Sequence, residues 1–318
     1  MSKSDLSSFH EALLNAKRIL AVCGAGLSAS SGIPTFRGAG GMWRKHNALE
    51  LATPEAFRKD PGLVWQFYSL RRHKALTSSP NAAHYALAEL ARKRPPPEFL
   101  TLTQNVDGLS EAAGHVNCPL SDPLKSIEYL HGSLYHVRCA RVWCRYSRFD
   151  ISDPIVPSLL VPSEGLDGDE ASWTSDVELP RCPQCKTGLL RPGVVWFGEE
   201  LDSQMLKRIQ QYIERDPVDL CIVIGTSGTV YPAAGYANLV KAQGGKVAIV
   251  DIDCSVRGNA DWLFEGDAAK LIPEMLEPII GKIEVPPERP TVKECLEKQA
   301  KEKEEEAAAA AVVTRTWK

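Results

Sequence analysis

The chain carries almost no net charge, no long apolar run and no internal repeat. Its 37 basic and 40 acidic residues among 318 leave a formal charge of only −3. That excludes a general electrostatic grip on nucleic acid or on an anionic membrane, and neither is expected as a partner. No segment approaches the ~20 consecutive apolar residues of a membrane-spanning helix. The first eighteen residues have no apolar signal core, and Asp5 and Glu11 fit poorly with a transit peptide. An intracellular place is therefore expected, cytoplasmic or nuclear ahead of mitochondrial. Nine cysteines, an odd number, then point to ligands, nucleophiles or core residues rather than disulfides.

What is present is enough apolar matter, 44% of residues, for one large domain carrying a smaller insert. Four short runs of β-branched and apolar residues read as buried parallel strands: 19–23, 99–103, 220–224 and 246–250. Helical patterns lie between them, which favours an α/β open sheet. The polar stretch 150–180 has no sustained period and reads as a loop inside a smaller module. The tail 293–318, with six basic and six acidic residues, reads either as a lone charged helix or as a disordered segment.

The first strand runs directly into Gly24-Ala25-Gly26-Leu27-Ser28, a turn that lets backbone approach a phosphate before a helix N-terminus. Ala29 stands where a third glycine of the dinucleotide fingerprint would fall. Gly225-Thr226-Ser227 closes the third strand at the sheet's carboxyl end, where α/β proteins bind ligands. Asp251 and Asp253 follow the fourth strand. They read either as acceptors for ribose hydroxyls that repel a 2′-phosphate, or as a helix cap or turn. A dinucleotide is the favoured ligand, NAD over NADP.

Two cysteine pairs, Cys139-x4-Cys144 and Cys182-x2-Cys185, are separated by 37 residues. Thiolates at such spacings form the two knuckles of a closed tetrahedral zinc site, structural because no position is left open. The remaining cysteines are scattered, and core packing suits them.

The run Gly24 to Arg37, Thr103-Gln104-Asn105-Val106-Asp107-Gly108-Leu109, His131-Gly132-Ser133, the cysteine pairs, Pro192 to Glu199 and Gly225-Thr226-Ser227 resembles the sirtuin family of NAD-dependent protein lysine deacylases, motif after motif in the family's order, over about residues 10 to 280. The resemblance implies a Rossmann-like parallel open sheet with a smaller zinc-binding and helical module inserted. It implies a discontinuous NAD-binding domain over 1–37, 96–131 and 193–285, and a helical, cofactor-loop and acyl-pocket module over 38–95. A zinc module at 132–192 and a charged tail at 286–318 complete the division. Acyl-lysine proteins or peptides are the implied substrates. His131 matches the general base, and one zinc ion is expected on Cys139, Cys144, Cys182 and Cys185. Gly24, Ala25, Gly26, Ser28, Thr35, Phe36, Arg37, Gln104, Asn105, Asp107, Gly225, Thr226, Ser227, Asp251 and Asp253 are the implied cofactor contacts. Val195, Phe197 and Gly198 are expected to bind an extended peptide through backbone hydrogen bonds.

The stretch from Phe36 through Leu51-Ala52-Thr53-Pro54 to Phe67-Tyr68-Ser69-Leu70-Arg71-Arg72 resembles the desuccinylase and demalonylase branch. Asp60 as N-cap and Pro61 as first helical residue predict a helix over about 61–76, with Leu63, Phe67 and Leu70 toward the core. Periodicity alone makes Tyr68 and Arg71, at i and i+3, an ordinary surface pair. The resemblance makes them the reader of a distal carboxylate, succinyl, malonyl or glutaryl, and gives Ala52 the task of leaving room for the longer chain. The alternatives are a deacetylase or mono-ADP-ribosyltransferase of the same fold, or a non-catalytic NAD and zinc module. In two places the sequence departs from the family's pattern: the first cysteine spacing is wider than the commonest, and Asp251 stands where many relatives have asparagine.

Overall fold

The computed structural model describes residues 5–35, 42–43, 46–115, 125–162, 178–226, 228, 230–254 and 260–301. In chain order the strands are β1 (Ile19–Cys23), β2 (Met42–Trp43), β3 (His46–Asn47), β4 (Phe99–Thr103), β5 (Ile127–Tyr129), β6 (Gly132–Cys139), β7 (Ser147–Phe149), β8 (Leu190–Val194), β9 (Leu220–Ile224), β10 (Lys246–Asp251) and β11 (Trp262–Glu265). The helices are α1 (Leu6–Asn15), α2 (Gly26–Ala29), α3 (Ala48–Leu51), α4 (Pro54–Lys59), α5 (Pro61–Thr77), α6 (Ala82–Lys93), α7 (Leu109–Ala112), α8 (Ser203–Arg215), α9 (Ala233–Ala242) and α10 (Ala268–Ile280).

All four expected strands are present, side by side in one parallel sheet of order β11-β10-β9-β1-β4-β5. Every residue of β1, β4 and β9 is buried, as strands covered on both faces must be. The pleat sends Ile19, Ala21 and Cys23 toward Phe9, Leu87 and Ile272, on α1, α6 and α10. Leu20 and Val22 face the other way, toward Ile209 of α8 and Val240 of α9. The edge strands β5 and β11 are three and four residues long, too short for a hydrophobic pattern to mark them.

The chain leaves β1 in one direction to β4 and β5, and later returns on its other side to β9, β10 and β11. The topological switch therefore lies at β1. Cys23 aligns with both Thr103 and Ile224, so the three central strands end level, and Gly24, Gln104 and Gly225 emerge together.

A second unit holds an antiparallel sheet of order β7-β6-β8 with α5 packed on it. Helix α5 starts where the sequence placed it, its Asp60 carboxylate accepting the Leu63 amide at 2.8 Å. Phe67 and Leu70 are buried, but Leu63 only partly. The helix is covered around most of its circumference, so the core also takes Val64, Trp65 and Leu76, and no polar stripe remains. One apolar cluster joins Trp65 and Phe67 to Tyr135, Val137, Cys139 and Cys182. The helical and cysteine modules thus share a core, whereas α6 packs on the large sheet through Ala83, Leu87 and Leu90. Residues 292–301 form a further helix that is not lone, because Val292 and Leu296, one turn apart, are buried in the smaller unit's core.

Arg72 locks the smaller unit. Only 2% exposed, it donates to the carbonyls of Leu134, Asp150 and Ser152, the last two at 2.9 Å each. Arg72→Met should leave those carbonyls unsatisfied at a cost of about 3 kcal/mol, read as a lower urea midpoint with an unchanged slope.

Candidate active site

Three backbones crowd at the carboxyl end of the central strands. The Gly26 amide donates to the Gly225 carbonyl at 2.8 Å, and a Cβ on Gly225 would lie 2.5 Å from the Gly26 Cα. Both turns therefore need glycine, and the result is a backbone surface open to close approach. The Gln104 amide donates to the Cys23 carbonyl, and its side chain donates to the Thr226 hydroxyl at 2.9 Å, bridging the flanking strands. The Asn105 amide group donates to the Gly24 carbonyl and to the buried Ser28 hydroxyl, at 3.0 and 3.1 Å. Asp107 is 6% exposed and caps the Leu109 amide at 3.0 Å, with burial holding its carboxyl above the usual carboxylate range. These polar groups, with Ala25 at the start of α2, fit the phosphate and sugar end of a dinucleotide.

His131 sits in the turn between β5 and β6. Its Nδ1 lies 3.1 Å from the Gln104 carbonyl oxygen, which can only accept. Nδ1 therefore carries the proton, and Nε2 is left with its lone pair. Burial lowers the His131 pKa, with the carbonyl bond opposing, so the ring is neutral at physiological pH. Its own carbonyl accepts the Val195 amide at 2.9 Å.

A cavity of about 590 Å³, counted to its open mouth, lies beside these groups. Its lining includes Ala25, Gln104, Asn105 and Asp107 from the ends of the central strands, and Tyr68, Arg71, Lys74 and Ala75 from α5. Tyr68 and Arg71 are thus a cavity wall and not a surface pair. The Tyr68 hydroxyl accepts from Trp196 Nε1 at 2.9 Å, and burial raises its pKa to about 12, so it stays a neutral donor. Burial lowers Arg71 to about 10, with Tyr68 opposing, which leaves it cationic near neutrality. Its guanidinium stands 4.6 Å above the Phe67 ring.

Other sequence-derived residues fall elsewhere. Ala52 is 5% exposed and lies outside the cavity lining; its carbonyl accepts the Phe197 amide at 2.9 Å. The Val195, Trp196, Phe197 and Glu199 amides are all engaged within the chain, so peptide pairing there falls to carbonyls and to exposed Gly198. Asp251 accepts the Asp253 amide at 3.3 Å, which is the turn reading of that pair. Thr35 lies half-buried on the segment after Pro34. Phe36, Arg37 and Ser227 lie outside the described residues. Lys74, Val106 and Leu134 line the cavity without having been singled out. Extending the i, i+3 step from Arg71 would have reached Lys74; nothing local marked the other two.

The four cysteines converge. Their sulfurs lie within 4.8 Å of one another, with Cys139–Cys185 and Cys144–Cys182 both at 3.7 Å. Tetrahedral zinc bonded to sulfur at ~2.3 Å needs sulfurs about 3.8 Å apart. The group could hold a zinc ion, and the x4 spacing is no obstacle, because the Arg141 amide turns back to the Cys139 sulfur at 3.4 Å.

A model of the Sir2 family matches residues 24–232. An "NAD-dependent protein deacylase" of Candida albicans is 44% identical, covering 87% of this chain and 99% of its own. "NAD-dependent protein deacylase sirtuin-5, mitochondrial" of Danio rerio is 41% identical over 86% and 87%. Among solved structures, a Sir2 homolog–NAD complex superposes with a TM-score of 0.72 at 37% identity, covering 88% of this chain and 96% of that one. A Sir2–p53 peptide–NAD+ complex does so at 0.65 and 27%, over 86% and 98%.

Two outcomes follow from the geometry. Purified protein should carry about one zinc per chain, and Cys182→Ser should lower both metal content and Tm. If His131 is the group that accepts a proton it must be neutral, and kcat/KM should then be flat near pH 7.5. It should fall on acidification with a midpoint below the ordinary histidine value of about 6.5. A midpoint at or above that value would remove His131 as the group observed.

Proposed function

This chain belongs to the Sir2 family, as an NAD-dependent protein deacylase of the sirtuin-5 type, and from that premise we propose that it removes acidic acyl groups, succinyl and malonyl, from lysine side chains. The observation that carries this reading is the shared cavity, which Tyr68 and Arg71 line together with Asn105 and Asp107. A half-buried cation beside a neutral phenol donor suits the distal carboxylate of an acidic acyl chain, which would take charge-assisted hydrogen bonds from Arg71 and one from Tyr68. Acetyl-lysine has nothing to offer that pair.

Bound NAD supplies the ribose carbon that accepts the acyl oxygen and the nicotinamide that leaves. Gln104, Asn105, Ser28 and Thr226 form a linked polar floor that needs little rearrangement to meet ribose and carboxamide groups. The Gly24 to Gly26 turn, with Gly225, receives the phosphates. His131 accepts a proton on Nε2 while its Nδ1 stays anchored. A zinc ion on these four thiolates would be structural, and would tie the end of β6 to the segment that leads into β8. Acyl-lysine peptides lie along 195–198 and make mainly backbone contacts. We place the enzyme in a reducing intracellular compartment, on the four thiols at one metal site and on relatives whose names include mitochondrial.

Succinyl-, malonyl- and acetyl-lysine versions of one peptide test the reading. Arg71→Met should lower kcat/KM for the succinyl peptide by roughly 30-fold or more and leave the acetyl peptide unchanged or faster. Tyr68→Phe should move the ratio the same way by less, since it deletes one neutral donor. A level succinyl-to-acetyl ratio in both variants would show that α5 does not read the acyl group.

A further inference from the structure

The segment beyond α10 touches the C-terminal end of α5 and the turn that follows Asp107, each adjoining residues that line the cavity. The Ser79 hydroxyl donates to the Arg289 carbonyl at 3.0 Å, and the Val292 amide donates to the Ser78 carbonyl at 2.9 Å. These are the residues that close the C-terminal end of α5, the helix of Tyr68 and Arg71. The same segment then turns into its own helix. Thr291 and Glu294 form a reciprocal cap, the Thr291 amide bonding the Glu294 carboxylate at 2.8 Å and the Glu294 amide bonding the Thr291 hydroxyl at 3.3 Å.

From there it reaches the turn after Asp107. Gly108, at φ 77°, is the turn between Asp107 and α7, and a Cβ on it would meet a Val292 methyl at 3.3 Å. Val292 is fully buried and Leu296 is 5% exposed, packed in one cluster with Leu76, Leu109 and Tyr135. Tyr135 in turn donates to the Asp107 carbonyl at 2.6 Å. The Gln299 side chain donates to the Glu111 carbonyl of α7 at 3.2 Å.

We infer that residues 289–301 are a strap that sets the position of the Asn105–Gly108 loop relative to α5, with Val292, Leu296 and Gln299 as positioning residues for the cofactor and acyl chain. The loop is tied to Gly24 and Ser28 at Asn105 and to Tyr135 at Asp107, and it runs directly from a strand end into a one-turn helix whose Glu111 carbonyl the strap holds through Gln299. Fixing it from outside stiffens the wall before any ligand arrives, and a preformed wall binds more tightly than one that must be ordered. The roles given to the cavity-lining residues rest on the function proposed above; the contacts do not.

Full-length protein carries the test, and Val292→Asp is the main variant, with Val292→Ile as the conservative control. Hydrogen exchange of residues 106–115 is measured beside that of β1, and the Kd for NAD is measured by calorimetry. Exchange at 106–115 should quicken tenfold or more in Val292→Asp while β1 stays protected. The Kd should rise about tenfold, within the usual span of coupling between sites. Val292→Ile should match the wild type in both. Unchanged exchange at 106–115, or faster exchange with an unchanged Kd, overturns the strap. Should Val292→Asp fail to fold, Gln299→Ala, which deletes the bond to Glu111, repeats the measurement, and an unaltered Kd there overturns it equally. A wild type that binds NAD but cleaves no acyl-lysine counts against the proposed function and leaves the exchange result standing.

Discussion

Everything at the site depends on β1 lying level between β4 and β9. Because Cys23, Thr103 and Ile224 share one register, the next residue of each strand arrives at the same height. Gly24, Gln104 and Gly225 are then close enough for one side chain, Gln104, to tie two strands together. A slip of one residue in either pairing would turn every buried strand residue to the wrong face. The apolar residues on both faces of β1 therefore fix the position of polar groups they never touch.

The smaller unit solves a different problem, that of keeping positive charge out of water. Arg72 is surrounded by carbonyls and reads as a fastener between α5, β6 and the loop at 150–152. Arg71, one residue earlier, points into the cavity wall, where burial has pulled its pKa down to about 10. Neighbouring residues on one helix turn by about 100°, so adjacent arginines can serve unrelated ends. One is satisfied by main chain and holds shape; the other is placed where an incoming anion would lower its energy.

Much of this was legible in the sequence. Short runs of β-branched and apolar residues announced β1, β4, β9 and β10, because a strand covered on both faces is apolar on both. The cysteine spacings announced one cluster, since closely spaced thiolates can bind one metal ion. Asp60 and Pro61 announced the start of α5 to the residue. The remainder was hidden for physical reasons. Strands β5 and β11 are too short to show a period. Leu63 was expected inward, but a helix buried nearly all round gives no clear inner face. Ala52 carries no donor or charge that could mark its environment, and it lies under Phe197 rather than in the cavity lining. A helix was one of the two readings of the tail, but the docking of 292–301 was not foreseen because its charges outnumber its apolar residues. Its Thr291-Val292-Lys293-Glu294 start, a threonine followed three residues later by glutamate, was the signal available.

The bond from His131 Nδ1 to residue 104 ends on a main-chain oxygen. Side-chain acceptors in comparable positions can be lost by a single nucleotide change, and the tautomer with them. Here every amino acid that could occupy position 104 would still present the same carbonyl, provided the strand end keeps its place. The ring's protonation pattern is thereby inherited from the sheet rather than from one codon. Drift at position 104 would alter what the floor of the cavity offers a ligand without disturbing which nitrogen of His131 holds the proton.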